Sequence, residues 1–77
     1  EYINTQVAGY GEQNTIFKLK RKNRFYKLME FYCERAGIDM SIIRFLYDRT
    51  RILPDDMPEM LNMEEFAVVH IMIEQRG

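Results

Sequence analysis

The sequence has no tryptophan, two prolines and a single cysteine among its 77 residues. One thiol cannot form an internal disulfide, so packing rather than cross-links has to hold this chain together. That cysteine usage is compatible with a reducing compartment. Without tryptophan, large buried area has to come from the five Tyr and five Phe. Long apolar runs are missing too. The longest near the C-terminal end, Phe66-Ala67-Val68-Val69, is far short of the ~20 residues that a helix needs to cross a bilayer. No secretory signal pattern is visible.

Two further absences are local. Residues 18–27 contain no acid, and residues 55–74 contain no Lys or Arg. The first segment lies in FKLKRKNRFYK, which holds Lys18, Lys20, Arg21, Lys22, Arg24 and Lys27 in a chain whose net charge is −1. The second holds Asp55, Asp56, Glu59, Glu64, Glu65 and Glu74. Such asymmetry fits two surfaces with different partners, or simply two solvated faces. Lys and Arg interleaved with Phe and Tyr also suit nucleic acid. A pI of about 5.8 and the confinement of the charge to one strip argue against it.

What is present is a globular composition, 47% hydrophobic and 30% charged, which excludes a disordered chain. The length suits one small domain, 1–77. In residues 2–8, Ile3, Thr5 and Val7 share one face of an expected strand. Gly9 and Gly11 mark a turn. In residues 14–21, Thr15, Phe17 and Leu19 alternate with Ile16, Lys18 and Lys20, giving a second strand with one core face and one basic face. The period then changes. Phe25, Leu28, Met29, Tyr32 and Cys33 form one stripe of a helix over about 25–36, with Asn23 as the expected N-cap and Gly37 as the stop.

Residues 42–47 predict a third strand with Ile43 and Phe45 inward, and Arg51-Ile52-Leu53 a short fourth. Pro54-Asp55-Asp56 breaks the chain, and Pro58 opens a turn over 59–61. Residues 67–74 predict a fifth strand, with Val69, Ile71 and Ile73 on one face and Val68, His70 and Met72 on the other. The order β-β-α-β-β-β is that of an α+β β-grasp, one main helix packed on a mixed sheet. A tail is expected over about 74–77.

No enzyme constellation emerges. Cys33 lies on the apolar stripe and reads as a structural thiol. His70 has no Cys or His at ligand spacing, so neither a metal nor a cofactor is expected. Gly9 and Gly11 are followed by no helix and are not a phosphate loop. Met29 and Met63 read as core; Met57, Met60 and Met72 read as exposed.

Specific residues go further. INTQVAG at 3–9, FKLKR at 17–21, KLM at 27–29, YCERAG at 32–37, IRF at 43–45 with Asp48, and LNMEE at 61–65 resemble the small ubiquitin-like modifier family, SUMO. The likeness runs without gaps over nearly the whole chain. It implies a ubiquitin-like fold, a nuclear and cytoplasmic location, and a protein tag with no catalytic residues of its own. It also implies a peptide groove between the second strand and the helix. The matching residues are Phe17, Lys18, Leu19, Lys20, Leu28 and Arg35, with Lys22 and Lys27 at the rim. Implied partners are SUMO-interacting peptides, activating and conjugating enzymes and SUMO proteases. A monomer is expected, with no membrane partner.

The sequence also departs from the family. Its mature end is Thr-Gly-Gly, whereas Arg76 and Gly77 fall on the threonine and the first glycine. Two readings stay open: a tail one residue short, with Gly77 in the conjugation end, or a domain that is not conjugated. The implied conjugating-enzyme face matches Arg44, Asp48, Glu64 and Glu65, but Phe66-Ala67 replaces acids that usually follow. Arg49-Thr50-Arg51 replaces a glycine-containing turn. Phe66, Val68, His70, Met72 and Ile73 therefore form a possible altered face. It would suit a diverged or engineered SUMO scaffold that binds one selected target protein or inhibits a SUMO-pathway protein without conjugation. No lysine lies in the hydrophobic-Lys-x-Glu context that SUMO conjugation favours, so chain formation through this segment is not expected.

Overall fold

We describe residues 1–9 and 14–74 of a computed structural model of the chain. The elements are β1 (Tyr2–Ala8), β2 (Asn14–Lys20), α1 (Tyr26–Ala36), β3 (Ile43–Tyr47), β4 (Thr50–Ile52) and β5 (Ala67–Ile73). The five strands form one sheet in the order β2-β1-β5-β3-β4. β1 and β5 are parallel, with Thr5 opposite Ala67 and Val7 opposite Val69. The other neighbours are antiparallel, so the sheet is mixed, as the β-grasp reading predicts. Gly11 and the expected tail beyond Glu74 lie outside the described residues.

Alternation along each strand decides which face is buried. Ile3, Thr5 and Val7 of β1, Ile43 and Phe45 of β3, Ile52 of β4 and Val69 of β5 turn inward. They meet the helical stripe Leu28, Met29, Tyr32 and Cys33, with Phe25 just ahead of it and Met63 from the loop before β5. Tyr32 and Phe45 pack edge to face across this core at 5.9 Å. Thr5 is fully buried, and its Oγ1 has no hydrogen-bond partner among the described residues.

The helix ends as its glycine predicts and begins otherwise. Gly37 adopts the left-handed conformation, φ 68°, which closes the last turn. Asn23 is not the N-cap; that position falls on Phe25, which has no side-chain cap bond. The loop over 54–56 does the capping instead. Phe25 N–H donates to the Asp56 carbonyl (2.9 Å) and Tyr26 N–H to the Pro54 carbonyl (3.0 Å). Two of the orphan donors of the first turn are thereby satisfied by main chain from a distant segment.

The fourth strand starts and ends one residue earlier than its pattern suggests. Asp48 and Arg49 form a two-residue turn with φ 51° and 67°, Tyr47 pairs with Thr50, and pairing stops at Ile52. Positive φ at both central residues matches the twist of a tight hairpin. Leu53 is exposed, and its N–H turns to Asp56 Oδ2 at 2.8 Å.

Candidate peptide groove and sheet face

The free edge of the sheet on one side is β2. Among the described residues no strand neighbours its main-chain donors and acceptors on that edge, and α1 runs back alongside it. The two elements are antiparallel: Phe17 meets Phe31 edge to face at 5.8 Å, and Thr15 shares a depression with Arg35. This depression, about 490 Å³, is lined by Thr15, Phe17, Tyr32, Arg35, Ala36 and Ile73 among others. The Arg35 guanidinium lies over the Phe31 ring at 5.6 Å. At the opposite end, Lys22, Arg24, Tyr26, Lys27 and Met57 line a second hollow of about 510 Å³. The two hollows differ in character: the first mixes Phe17, Tyr32 and Ile73 with Thr15 and Arg35, and the second, near the start of α1, is rich in cations.

The six cations of the basic strip divide into three groups. Lys22, Arg24 and Lys27 surround the cationic hollow. Arg24 has one long contact, 3.9 Å, to the exposed Asp55, worth little in water. Arg21 is a strut: its Nη1 donates to the Met63 carbonyl (2.9 Å), and its own carbonyl accepts from Glu59 N–H (2.9 Å). Lys18 and Lys20 stand on the far side of the sheet, their ammonium groups 4.9 and 5.6 Å from the Tyr2 ring. They reach the groove only through the main chain of β2. Phe17, half-buried, lines the first depression; Leu19 is half-buried and Leu28 lies in the core, outside the lining of either hollow.

One tyrosine and one cysteine of the helix have shifted acidities. The Tyr26 hydroxyl donates to Glu30 Oε2 at 2.8 Å, and that carboxylate pushes its pKa up. Burial raises the Cys33 thiol, and the charge of Asp39 adds to the effect. A thiol held protonated in this way is a poor nucleophile. Among the described residues, no group of three or more His, Cys, Asp and Glu side chains could hold a metal ion. No described helix is long and apolar enough to cross a membrane.

The residues matched to a conjugating-enzyme face are not all neighbours. β3 is antiparallel to β5, so Asp48 and Phe66 stand at the same end of the sheet. Arg44, opposite Met72, stands towards the other end, about 20 Å along the strand direction from Phe66. There it pairs with Glu74 at 3.6 Å. Glu74 N–H in turn donates to the Ile42 carbonyl, so the first residue of the expected tail is still anchored. Glu64 is exposed. Glu65 is committed to β1: its carboxylate accepts from Asn4 N–H (2.6 Å) and Asn4 Nδ2 (3.2 Å).

Phe66 itself has φ 61°, an unusual conformation for a bulky residue. Its N–H donates to the Asn4 carbonyl at 2.7 Å, and its ring is half exposed. Of the possible altered face, Val68, His70 and Met72 point outward while Ile73 turns inward and lines the first depression. Strict alternation along β5 separates them.

A single helix clasped by a five-stranded mixed sheet, with the last strand between the first and third, defines a ubiquitin-like β-grasp. The family described as "Ubiquitin-2 like Rad60 SUMO-like" matches residues 3–73. The chain is also 42% identical, over all 77 of its residues, to the ubiquitin-like protein pmt3/smt3 of Schizosaccharomyces pombe. It spans 66% of that protein's length. The chain belongs to the SUMO-like family of ubiquitin-fold proteins.

Proposed function

We propose that residues 1–77 form a single SUMO-type modifier domain, without enzymatic activity, that is joined to lysines of target proteins and read through the β2–α1 groove. The reader is an extended peptide with an apolar core and acidic or phosphorylated flanks. The observation that carries this reading is the free β2 edge beside a depression that combines Phe17, Tyr32 and Ile73 with Arg35, with a second, cation-rich hollow near the start of α1. A peptide strand added at that edge gains main-chain hydrogen bonds, while alternate side chains enter the depression beside Phe17 and Tyr32. Lys22, Arg24 and Lys27 then meet the acids, an attraction that falls with salt. Arg35 supplies a guanidinium in the first depression, where it lies over the Phe31 ring.

Attachment would proceed through a C-terminal glycine carboxylate, first activated, then carried as a thioester, then joined to a lysine. Glycine suits this because a tail without side chains can be drawn through a narrow enzyme tunnel. The partners are the activating and conjugating enzymes and the proteases of the SUMO pathway, in the nucleus and cytoplasm. Arg44, Asp48, Glu64, Glu65 and Phe66 are the residues offered to the conjugating enzyme. Gly77 lies outside the described residues.

Two measurements test the proposal separately. Titration with a hydrophobic-acidic peptide is expected to move backbone amides of 15–19 and 31–35; unmoved amides there would reject the groove. The chain extended by one glycine after Gly77, incubated with activating enzyme, conjugating enzyme and ATP, is expected to form a reducible thioester. Its absence beside a working family member would remove the modifier role.

A further inference from the structure

Among the described residues, two tyrosines are well exposed, Tyr2 and Tyr26 (47%), whereas Tyr47 is half-buried and Tyr32 lies in the core. Tyr2 stands with Lys18 and Lys20 on the far side of the sheet. Tyr26 has different surroundings. It is the first residue of α1, and it lines the second hollow together with Lys22, Arg24, Lys27 and Met57. Its hydroxyl donates to Glu30 Oε2, one helical turn on, at 2.8 Å. One phenol therefore stands between a carboxylate and three cations. Among the described residues Lys22 and Lys27 have no ion pair, and Arg24 has only its long contact to Asp55.

Residues 21–25, just before Tyr26, belong to no helix or strand. An enzyme that grips an extended acceptor segment meets irregular chain on one side of Tyr26 and the first turn of α1 on the other. Helix ends open at little cost.

We propose that Tyr26 is a phosphorylation site, and that its phosphate closes the cationic hollow to the acidic flank of a peptide. The consequence for the peptide rests on the groove reading above; the site itself rests on the surroundings of Tyr26. The donor is a nucleoside triphosphate held by a protein tyrosine kinase. The Tyr26 oxygen bonds to the γ-phosphorus, and the bond from that phosphorus to the bridging oxygen breaks. The diphosphate leaves with that electron pair, and the phenolic proton passes to a base of the kinase.

The new group carries a charge of about −1.5 to −2 near neutral pH. It repels the Glu30 carboxylate, so the bond between the two side chains is lost. Lys22, Arg24 and Lys27 lie on the same hollow and offer charge-assisted hydrogen bonds in its place. The first turn of α1 also favours an anion. Because the phosphate is tethered, it meets these cations at a higher effective concentration than a carboxylate of a free peptide does.

The test treats the whole chain with a broad-specificity tyrosine kinase domain and magnesium ATP and maps the product by mass spectrometry. Phosphate is expected on Tyr26. Two extended peptides then share one apolar core, flanked in one by glutamates and in the other by serines. Calorimetric titration at low salt is expected to show the glutamate peptide weakened roughly fivefold or more, with most of its salt dependence gone. The serine peptide should bind as before. In Tyr26→Phe, kinase treatment should change neither affinity from that variant's own untreated value. The proposal is overturned if Tyr26 takes up no phosphate, if the phosphorylated chain binds both peptides as before, or if it loses both equally; each of these leaves the groove standing. No binding of either peptide to the untreated chain would reject the groove reading and the switch with it.

Discussion

The two faces of one sheet obey the same alternation and carry opposite information. Inward positions such as Ile3, Val7, Phe45, Ile52 and Val69 are closed over by α1, and each has to match the shape left by its neighbours. Outward positions such as Ile16, Lys18, Val68, His70 and Met72 meet water, and packing constrains them little. The inner face therefore keeps the fold while the outer face can change partners.

The contrast breaks most severely at Phe25, 1% exposed at the entry to the helix. Phe25→Ala is expected to cost about 3–5 kcal/mol in urea denaturation, a large part of the total stability of a small domain. Met72→Ala on the outer face should stay within about 0.5 kcal/mol in the same assay. Equal losses would mean that the outer face is also covered.

Thr5 sharpens the comparison, because it is a polar side chain on the wrong side. Its buried hydroxyl lacks a partner among the described residues. Thr5→Val keeps nearly the same shape and removes an unsatisfied group, so it should stabilise by about 1–3 kcal/mol. A loss of stability would show that the hydroxyl is bonded in solution.

Arg49 is a smaller case on the exposed rim. A left-handed residue with a Cβ is strained, and glycine relieves this at an entropic cost in the unfolded chain. Arg49→Gly should raise stability by about 0.5–1 kcal/mol, read as a shift in the denaturation midpoint with an unchanged slope.

The smallest effect concerns Asp39, fully at the surface, whose carboxylate accepts from Ser41 N–H at 2.8 Å. Hydrogen bonds from Ser41 hold its pKa below the usual carboxylate value. The sign follows: its stabilising contribution is present above the unfolded pKa, near neutral pH, and is lost as pH falls through the depressed folded value. Asp39→Asn should flatten the acid limb of stability against pH. An identical limb would mean that the Ser41 bond does not persist in solution.

Much of this architecture is legible in the sequence. Period two marked β1, β2, β3 and β5, and the stripe from Phe25 to Cys33 marked the helix, because burial selects side chains at fixed spacings. Asn23 misled because a local side-chain cap was expected where carbonyls of residues 54 and 56, thirty residues away, do the work. Leu53 misled because an apolar residue beside a short strand reads as part of it, whereas the tight turn and Asp56 end the pairing first. The resemblance set Lys18 and Lys20 among groove residues, yet their own alternation with Phe17 and Leu19 already put their side chains on the other face. Arg21 gave no signal as a strut, since nothing local shows that a cation will reach the Met63 carbonyl. Glu65 matched an acidic contact face, and only the register of β1 beside β5 reveals its bond to Asn4.

The strand order has a consequence for the life of the chain on the ribosome. β5 is the last strand to be made, yet it lies in the middle of the sheet, joining the β2–β1 hairpin to the β3–β4 hairpin. Until residues 67–73 emerge, the two hairpins have no common strand, and β1 waits for a parallel partner more than sixty residues downstream. Pairing over such separations is slow because loop closure must come first. This domain should therefore stay open until β5 is made and then close in one cooperative step.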